Sequence, residues 1–142
     1  MMVLRDGTSS QVHIARPEEQ DALTAFFERL SPESRRQRFF SASLPRPELI
    51  ASLCDSSDPR SRLTLIVTRT HDGGSRIIAT ASYAATKDRT AEVSFAVDDA
   101  YHGKGIGTLL LERLALLAMR YGFTKFWAVT HADNRAMRDV FR

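Results

Sequence analysis

Apolar positions along the chain change period several times, and each change marks a new element. Val3-Leu-Arg and Gln11-Val-His-Ile-Ala flank Asp6-Gly7, a strong short hairpin signal, so the chain is predicted to open with two strands. Pro17 then opens a helix over residues 17–30, with Glu18 and Glu19 at its positive end and Leu23, Phe26, Phe27 and Leu30 on one face. Ser31-Pro32 starts a second helix, SPESRRQRFF, as a cap followed by proline, and a third short helix covers residues 47–54. The stretch DSSDPRS, residues 55–61, reads as a loop.

From residue 62 the period becomes that of a sheet. LTLIVT, a turn at 71–75, RIIATASYAA, a turn at 87–89 and AEVSFAV predict three strands in a meander, and apolar side chains on both faces require cover on both sides. Then comes VDDAYHGKGIGTLLLERLALLAMRY, residues 97–121: glycines at 103, 105 and 107, followed by a helix with Leu109, Leu110, Leu114, Leu117 and Tyr121 on its buried face. A strand, KFWAVT (125–130), and a helix beginning near Asp133-Asn134 complete the order ββ-ααα-βββ-α-β-α. That order describes a mixed α/β sheet with helices on both faces.

Composition narrows the class. A chain of 142 residues, 43% hydrophobic and 26% charged, makes one domain with a real core. Its net charge of +3 suits an anionic ligand, but the basic residues are scattered and aromatics are few among them, which argues against a nucleic-acid surface. The single cysteine, Cys54, rules out an internal disulfide and reads as a small buried hydrophobe beside Ile50 and Leu53. No apolar run approaches membrane-spanning length and MMVLRDGTSS has no signal-peptide core, so no membrane partner and a cytoplasmic location are expected. His13, His71, His102 and His131 do not fall at metal-ligand spacing, so no metal is expected.

The candidate chemistry lies in the glycine stretch. Glycine-dense backbone feeding a helix N-terminus binds phosphate, because first-turn N–H groups are unpaired, the macrodipole favours negative charge, and missing Cβ atoms permit close approach. A dinucleotide fingerprint would need glycine at position 108, where Thr108 stands, and a P-loop would need Gly-Lys-Ser/Thr after its four-residue spacer, where Gly107 is followed by Thr-Leu-Leu. His102-Gly-Lys-Gly105-Ile-Gly107 instead resembles motif A of the GNAT superfamily of acyl-CoA-dependent N-acyltransferases, Gln/Arg-x-x-Gly-x-Gly/Ala, with His102 at the position usually held by Gln or Arg. The strand before it, the helix after it and the ADNRAM segment extend the likeness. LRDGT…VHIARPEE and FFERLSPESRRQRFF are similar to the acyltransferase domains that accompany NDP-forming acyl-CoA synthetases and to related bacterial protein-lysine acetyltransferases. The resemblance takes in residues 4–142.

It implies the GNAT fold, acetyl-CoA as co-substrate, and a primary amine as acceptor, a protein lysine ahead of a small amine. A non-catalytic acyl-CoA-sensing domain is the alternative from another class. A lysine amine, with a pKa of about 10.4, must lose a proton before it attacks a thioester, so a base is needed. Glu92, in the Ala-Glu position of the strand leading to the loop, is the implied base, expected among the apolar neighbours Val93, Phe95 and Val97; the alternative is a solvent-facing strand-end carboxylate. The resemblance assigns the pyrophosphate to the backbone of Gly103, Lys104, Gly105, Ile106, Gly107 and Thr108, with a side chain at Gly105 or Gly107 standing where phosphate oxygens belong. Lys104 adds charge or is simply a solvated lysine. Family members carry a bulge in the strand before the loop, which opens main-chain groups to the pantetheine arm; here that corresponds to Ala96 and Val97. Asn134 matches an Asn that begins the last helix in many members, or is only its cap, whereas the tyrosine found seven residues later is replaced by Phe141. That helix reaches only about two turns by Arg142, and GNAT domains usually continue into further strands. The expectation is therefore a domain truncated at its C-terminus, which continues into a longer chain or borrows a strand as a homodimer, leaving an edge beside residues 125–130.

Overall fold

The computed structural model describes residues 2–3, 9–39, 44–71, 74–103 and 105–128. The chain opens with β1 (Met2–Val3) and β2 (Ser9–Ile14), which pair antiparallel with Met2 opposite Ser10. The turn expected at Asp6-Gly7 lies outside the described residues. The helix predicted from Pro17 begins instead as a 3-10 turn, Pro17–Glu19, before α1 (Gln20–Arg29). Glu19 tightens that turn: one carboxylate oxygen accepts from the Arg16 N–H (3.0 Å) and the other lies 2.7 Å from His13 Nε2. Next come α2 (Pro32–Phe39), where the Ser31 hydroxyl caps the Ser34 N–H at 3.1 Å, and α3 (Pro47–Leu53).

Three long strands follow, β3 (Arg62–His71), β4 (Gly74–Ala85) and β5 (Thr90–Val97). The β4–β5 turn places Asp88 and Arg89 both at positive φ, with the Thr90 N–H bonded to the Lys87 carbonyl. This is the mirror-image turn whose twist suits a hairpin, reached without glycine. After a 3-10 turn at Asp99–Tyr101, α4 (Ile106–Arg120) crosses over to β6 (Lys125–Ala128), which runs parallel to β5. The sheet order is β1-β2-β3-β4-β5-β6, antiparallel throughout except at β5–β6. The final predicted helix lies outside the described residues.

Each face of the sheet has its own core. Leu63, Leu65, Val67, Ala81 and Tyr83 pack with Ile106, Leu110, Leu111, Leu114 and Ala118 of α4. Ile66, Ile77 and Ala96 pack on the other face with Leu23, Phe26 and Phe27 of α1, Ile50 of α3, and Cys54. The α4 face differs slightly from the predicted one, since Leu111 is buried while Leu109, Leu117 and Tyr121 are only partly so. Among the described residues no helix is long and apolar enough to cross a membrane.

The bulge expected at Ala96 and Val97 is not on the β4–β5 ladder, whose register is unbroken from Ala85 opposite Ala91 to Ala79 opposite Val97. On its other edge, where such a bulge would part β5 from β6, the pairing beyond Val93 opposite Ala128 lies outside the described residues. A separate bulge lies one strand over. Val67 faces Ala79 while Thr68 faces Ile77, so Ile78 is the extra residue and joins Ala79 in the α4-side core. The Ile77 carbonyl at this bulge accepts from Arg29 Nη2 (2.6 Å), and the Ile78 carbonyl accepts from the Asp98 N–H (2.8 Å).

Candidate active site

Strand β5 carries the chain from Glu92 to Val97 and into the glycine loop. Asp98 makes the transition: buried, it accepts the Ala100 N–H at 2.9 Å and so caps the 3-10 turn, and its other oxygen lies 3.7 Å from Arg29 Nε. Arg29 thereby ties the end of α1 to both the β4 bulge and the end of β5, a role nothing in the spacing of α1 announced. Asp99 points toward α2 and accepts the Ser34 hydroxyl at 2.8 Å. Burial raises the Asp99 pKa, but hydrogen bonds from Ser31 and Ser34 and the nearby His102 hold it below the usual carboxylate value.

The loop itself needs two of its glycines for conformation. Gly103 (φ +79°) and Gly105 (φ +80°) are both left-handed, and Gly105 is the N-cap of α4. No side chain caps this helix, and its first intrahelical bond runs from the Leu109 N–H to the Gly105 carbonyl (3.2 Å). The N–H groups of Ile106, Gly107 and Thr108 therefore face outward at the positive end of a fifteen-residue helix. This is a fit for the pyrophosphate of a CoA ester, made of main chain only: the Ile106 side chain is buried in the core and Thr108 is exposed. Lys104 lies outside the described residues, as does Asn134.

Two of the predicted loop residues act differently from expectation. A Cβ on Gly107 would sit 2.9 Å from the Phe95 ring, so this glycine lets α4 press against β5 rather than clearing room for phosphate. His102 folds back rather than outward, its Nε2–H donating to the Val97 carbonyl at 2.9 Å. A carbonyl only accepts, so that ring nitrogen carries the proton. His102 thus braces the loop against the strand end at Ala96 and Val97.

Glu92 is half-buried, and among the described residues its carboxylate has no hydrogen-bond or ion-pair partner. The neighbours Val93, Phe95 and Val97 do not surround it. Successive strand side chains alternate faces, and Ala91, Val93, Phe95 and Val97 all turn to the α4-side core. Glu92 lies on the opposite face with Ser94 and Ala96, level with Ala84 of β4 and Trp127 of β6. That face holds polar groups as well, including the buried pair Thr64–Ser82, whose hydroxyls are 2.9 Å apart. Trp127 escaped the sequence reading because only the parallel register brings it beside Glu92.

Comparisons with known proteins agree with this architecture. Residues 19–142 match the model of the Acetyltransferase (GNAT) family. An acetyltransferase of Pseudomonas aeruginosa is 31% identical over 139 residues, 96% of this chain and 74% of that protein. The acetyltransferase Pat of Mycolicibacterium smegmatis is 44% identical over a shorter stretch of 50 residues, 35% of this chain and 15% of that one. The crystal structure of the GNAT domain of S. lividans PAT superimposes with a TM-score of 0.83 at 32% identity, covering 99% of this chain and 82% of that one. An uncapped, glycine-entered helix behind a mixed sheet, in a chain with these relatives, belongs to the GNAT acetyltransferase family, the acyl-CoA-dependent N-acyltransferases.

Proposed function

We propose that this domain transfers an acetyl group from acetyl-CoA to the ε-amino group of a protein lysine, by direct attack with both substrates bound. The observation that carries the reading is the half-buried Glu92 carboxylate, free of any partner among the described residues, on the strand that leads into an uncapped helix N-terminus. The stretches around residues 12–19 and 26–40, with their likeness to bacterial protein-lysine acetyltransferases, favour lysine as acceptor. Acetyl-CoA supplies an acyl group activated as a thioester.

The chain's own residues divide the remaining work. Backbone N–H groups from Gly103 through Lys104, Gly105, Ile106, Gly107 and Thr108 hold the pyrophosphate, and the main chain at Ala96 and Val97, braced by His102, lines the path of the pantetheine arm. The family likeness assigns Asn134 to the thiol end. Glu92 takes a proton from the incoming ammonium, so that a neutral amine with a free lone pair is delivered. A reducing, cytoplasmic setting suits the buried free thiol of Cys54.

The test is incubation with acetyl-CoA and a mixed panel of lysine peptides and small amines, read by mass spectrometry. Acetyl adducts on lysine side chains are expected. Adducts on small amines alone would move the acceptor class, and CoA binding without any transfer would leave a sensor domain.

A further inference from the structure

We infer that Trp127 is the acceptor-positioning residue of this site, and that the acceptor it selects is a primary ammonium at the end of an aliphatic chain. The inference rests on the reading of Glu92 as proton acceptor and deepens it.

The geometry comes from the parallel β5–β6 ladder, where Glu92 stands level with Trp127. Adjacent strands lie about 4.8 Å apart, so two side chains on one face at the same level are neighbours. They do share a face. Phe126 packs with the α4-side core, which turns Trp127 to the other side, and Ala91 and Val93 do the same for Glu92. The indole is 42% exposed, and among the described residues it has no stacking, cation–π or hydrogen-bonding partner. On either side of Glu92 along its face of β5 stand the short side chains of Thr90 and Ser94, and Ala84 lies on the far side of Glu92, so nothing large on these stretches of β4 and β5 fills the space above the carboxylate.

A carboxylate beside an indole, neither with a partner among the described residues, has a specific complement. The ring face attracts a cation electrostatically and offers apolar area to methylene groups, while the carboxylate accepts the ammonium proton. An alkylammonium satisfies both at once. A phosphate or carboxylate ligand would be repelled by Glu92, and an amine with no aliphatic stem would leave the indole uncovered. After the proton passes to Glu92, the contact between ring and methylene groups persists, so Trp127 holds the neutral amine in place as it held the cation.

Trp127 is the single tryptophan of the chain, so its emission reports this position alone. The probe is a short peptide with blocked ends and one lysine, compared with the same peptide carrying norleucine. Saturable change in emission with the lysine peptide and none with norleucine is expected; equal or absent responses overturn the inference. In steady-state kinetics W127A should raise KM for the lysine peptide about tenfold, which corresponds to about 1.4 kcal/mol, with kcat and CoA affinity nearly unchanged. W127F should restore most of the loss, because a phenyl ring keeps a π face. Should KM in W127A stay at the parent value while E92Q is inactive, Trp127 has no positioning role but Glu92 keeps its own. Should E92Q turn over like the parent, the reading of Glu92 fails, and a lysine-specific emission change would then show that Trp127 binds the acceptor without it.

Discussion

Glu92, the proton acceptor proposed above, shows how much of a residue's setting a sequence reveals and where it stops. The residue type and its place on the strand before the glycine loop were legible, because a base is chemically required and this is the carboxylate on that strand. Its surroundings were not, because sequence neighbours on a strand point to the opposite face; Val93 and Phe95 face α4, and the groups level with Glu92 come from β4 and β6. Replacing Glu92 by Gln would remove the proposed proton acceptor while keeping shape. Turnover should fall about a hundredfold with CoA affinity unchanged, and the deficit should narrow as pH rises toward the amine pKa of about 10.4. A pH–rate profile of the variant parallel to that of the parent would place the base elsewhere. Cys54 gives a simpler case. Its thiol is fully buried, and burial, with a smaller contribution from the Glu19 charge, pushes its pKa up to about 11. Since only the thiolate reacts, labelling by a thiol reagent at neutral pH should be slow until urea unfolds the chain. Rapid labelling of the native protein would contradict this burial.

Among the elements, α4 and β5 form the unit on which the site is built, and the three glycines between them have two different tasks. Gly103 and Gly105 take left-handed conformations that turn the chain into the helix, whereas Gly107 lies inside the helix against Phe95. Their even spacing in the sequence gave no means of telling these tasks apart, since close approach to a ligand and close approach to a strand require the same missing Cβ. The order of the described elements and the meander pairing of β3, β4 and β5 were legible from period and turn chemistry. The bulge in β4 was not, because Ile78 is one more apolar residue in an apolar run and only its pairing with β3 reveals it. Substituting Gly107 by Val should cost about 1–3 kcal/mol through overpacking against the Phe95 ring. In a Phe95→Ala background most of that cost should vanish, a coupling that urea denaturation of the four proteins measures directly. Additive losses would mean that Gly107 does not act through Phe95. The β4–β5 turn allows a change of opposite sign. Arg89 has φ +59°, in the region that L side chains rarely adopt, so Arg89→Gly should stabilise the fold by roughly 0.5–1 kcal/mol. A lower urea midpoint in that variant would show that the arginine side chain contributes more than its backbone conformation costs.

At the scale of the molecule, the sheet separates two cores, and each encloses one weak acid that folding keeps neutral. In the α4-side core, Tyr83 is almost fully buried, its ring centroid 5.2 Å from that of Phe123 and its hydroxyl donating to the Pro59 carbonyl. Burial, then the neighbouring Tyr121 and Asp58, push its phenol from 10.0 up to about 12. In the other core Cys54 rises from 9.0 to about 11. Both folded values lie above the unfolded ones, so at alkaline pH the unfolded chain releases protons that the folded chain retains. Stability from these two groups is complete below the unfolded values, and it is lost as pH climbs through the folded ones. The loss should start near pH 9 with Cys54 and continue to about pH 12 with Tyr83, each group contributing on the order of 2 kcal/mol. The informative quantity is the difference between parent and variant. Cys54→Ala lowers stability at neutral pH by leaving a void, but its urea midpoint should fall less steeply than the parent's between pH 9 and 11. Tyr83→Phe should flatten the later part of the decline, between pH 10 and 12. Parent and variants falling in parallel across both windows would mean that neither acid holds its proton through burial, and that the alkaline limit of the fold is set at the surface.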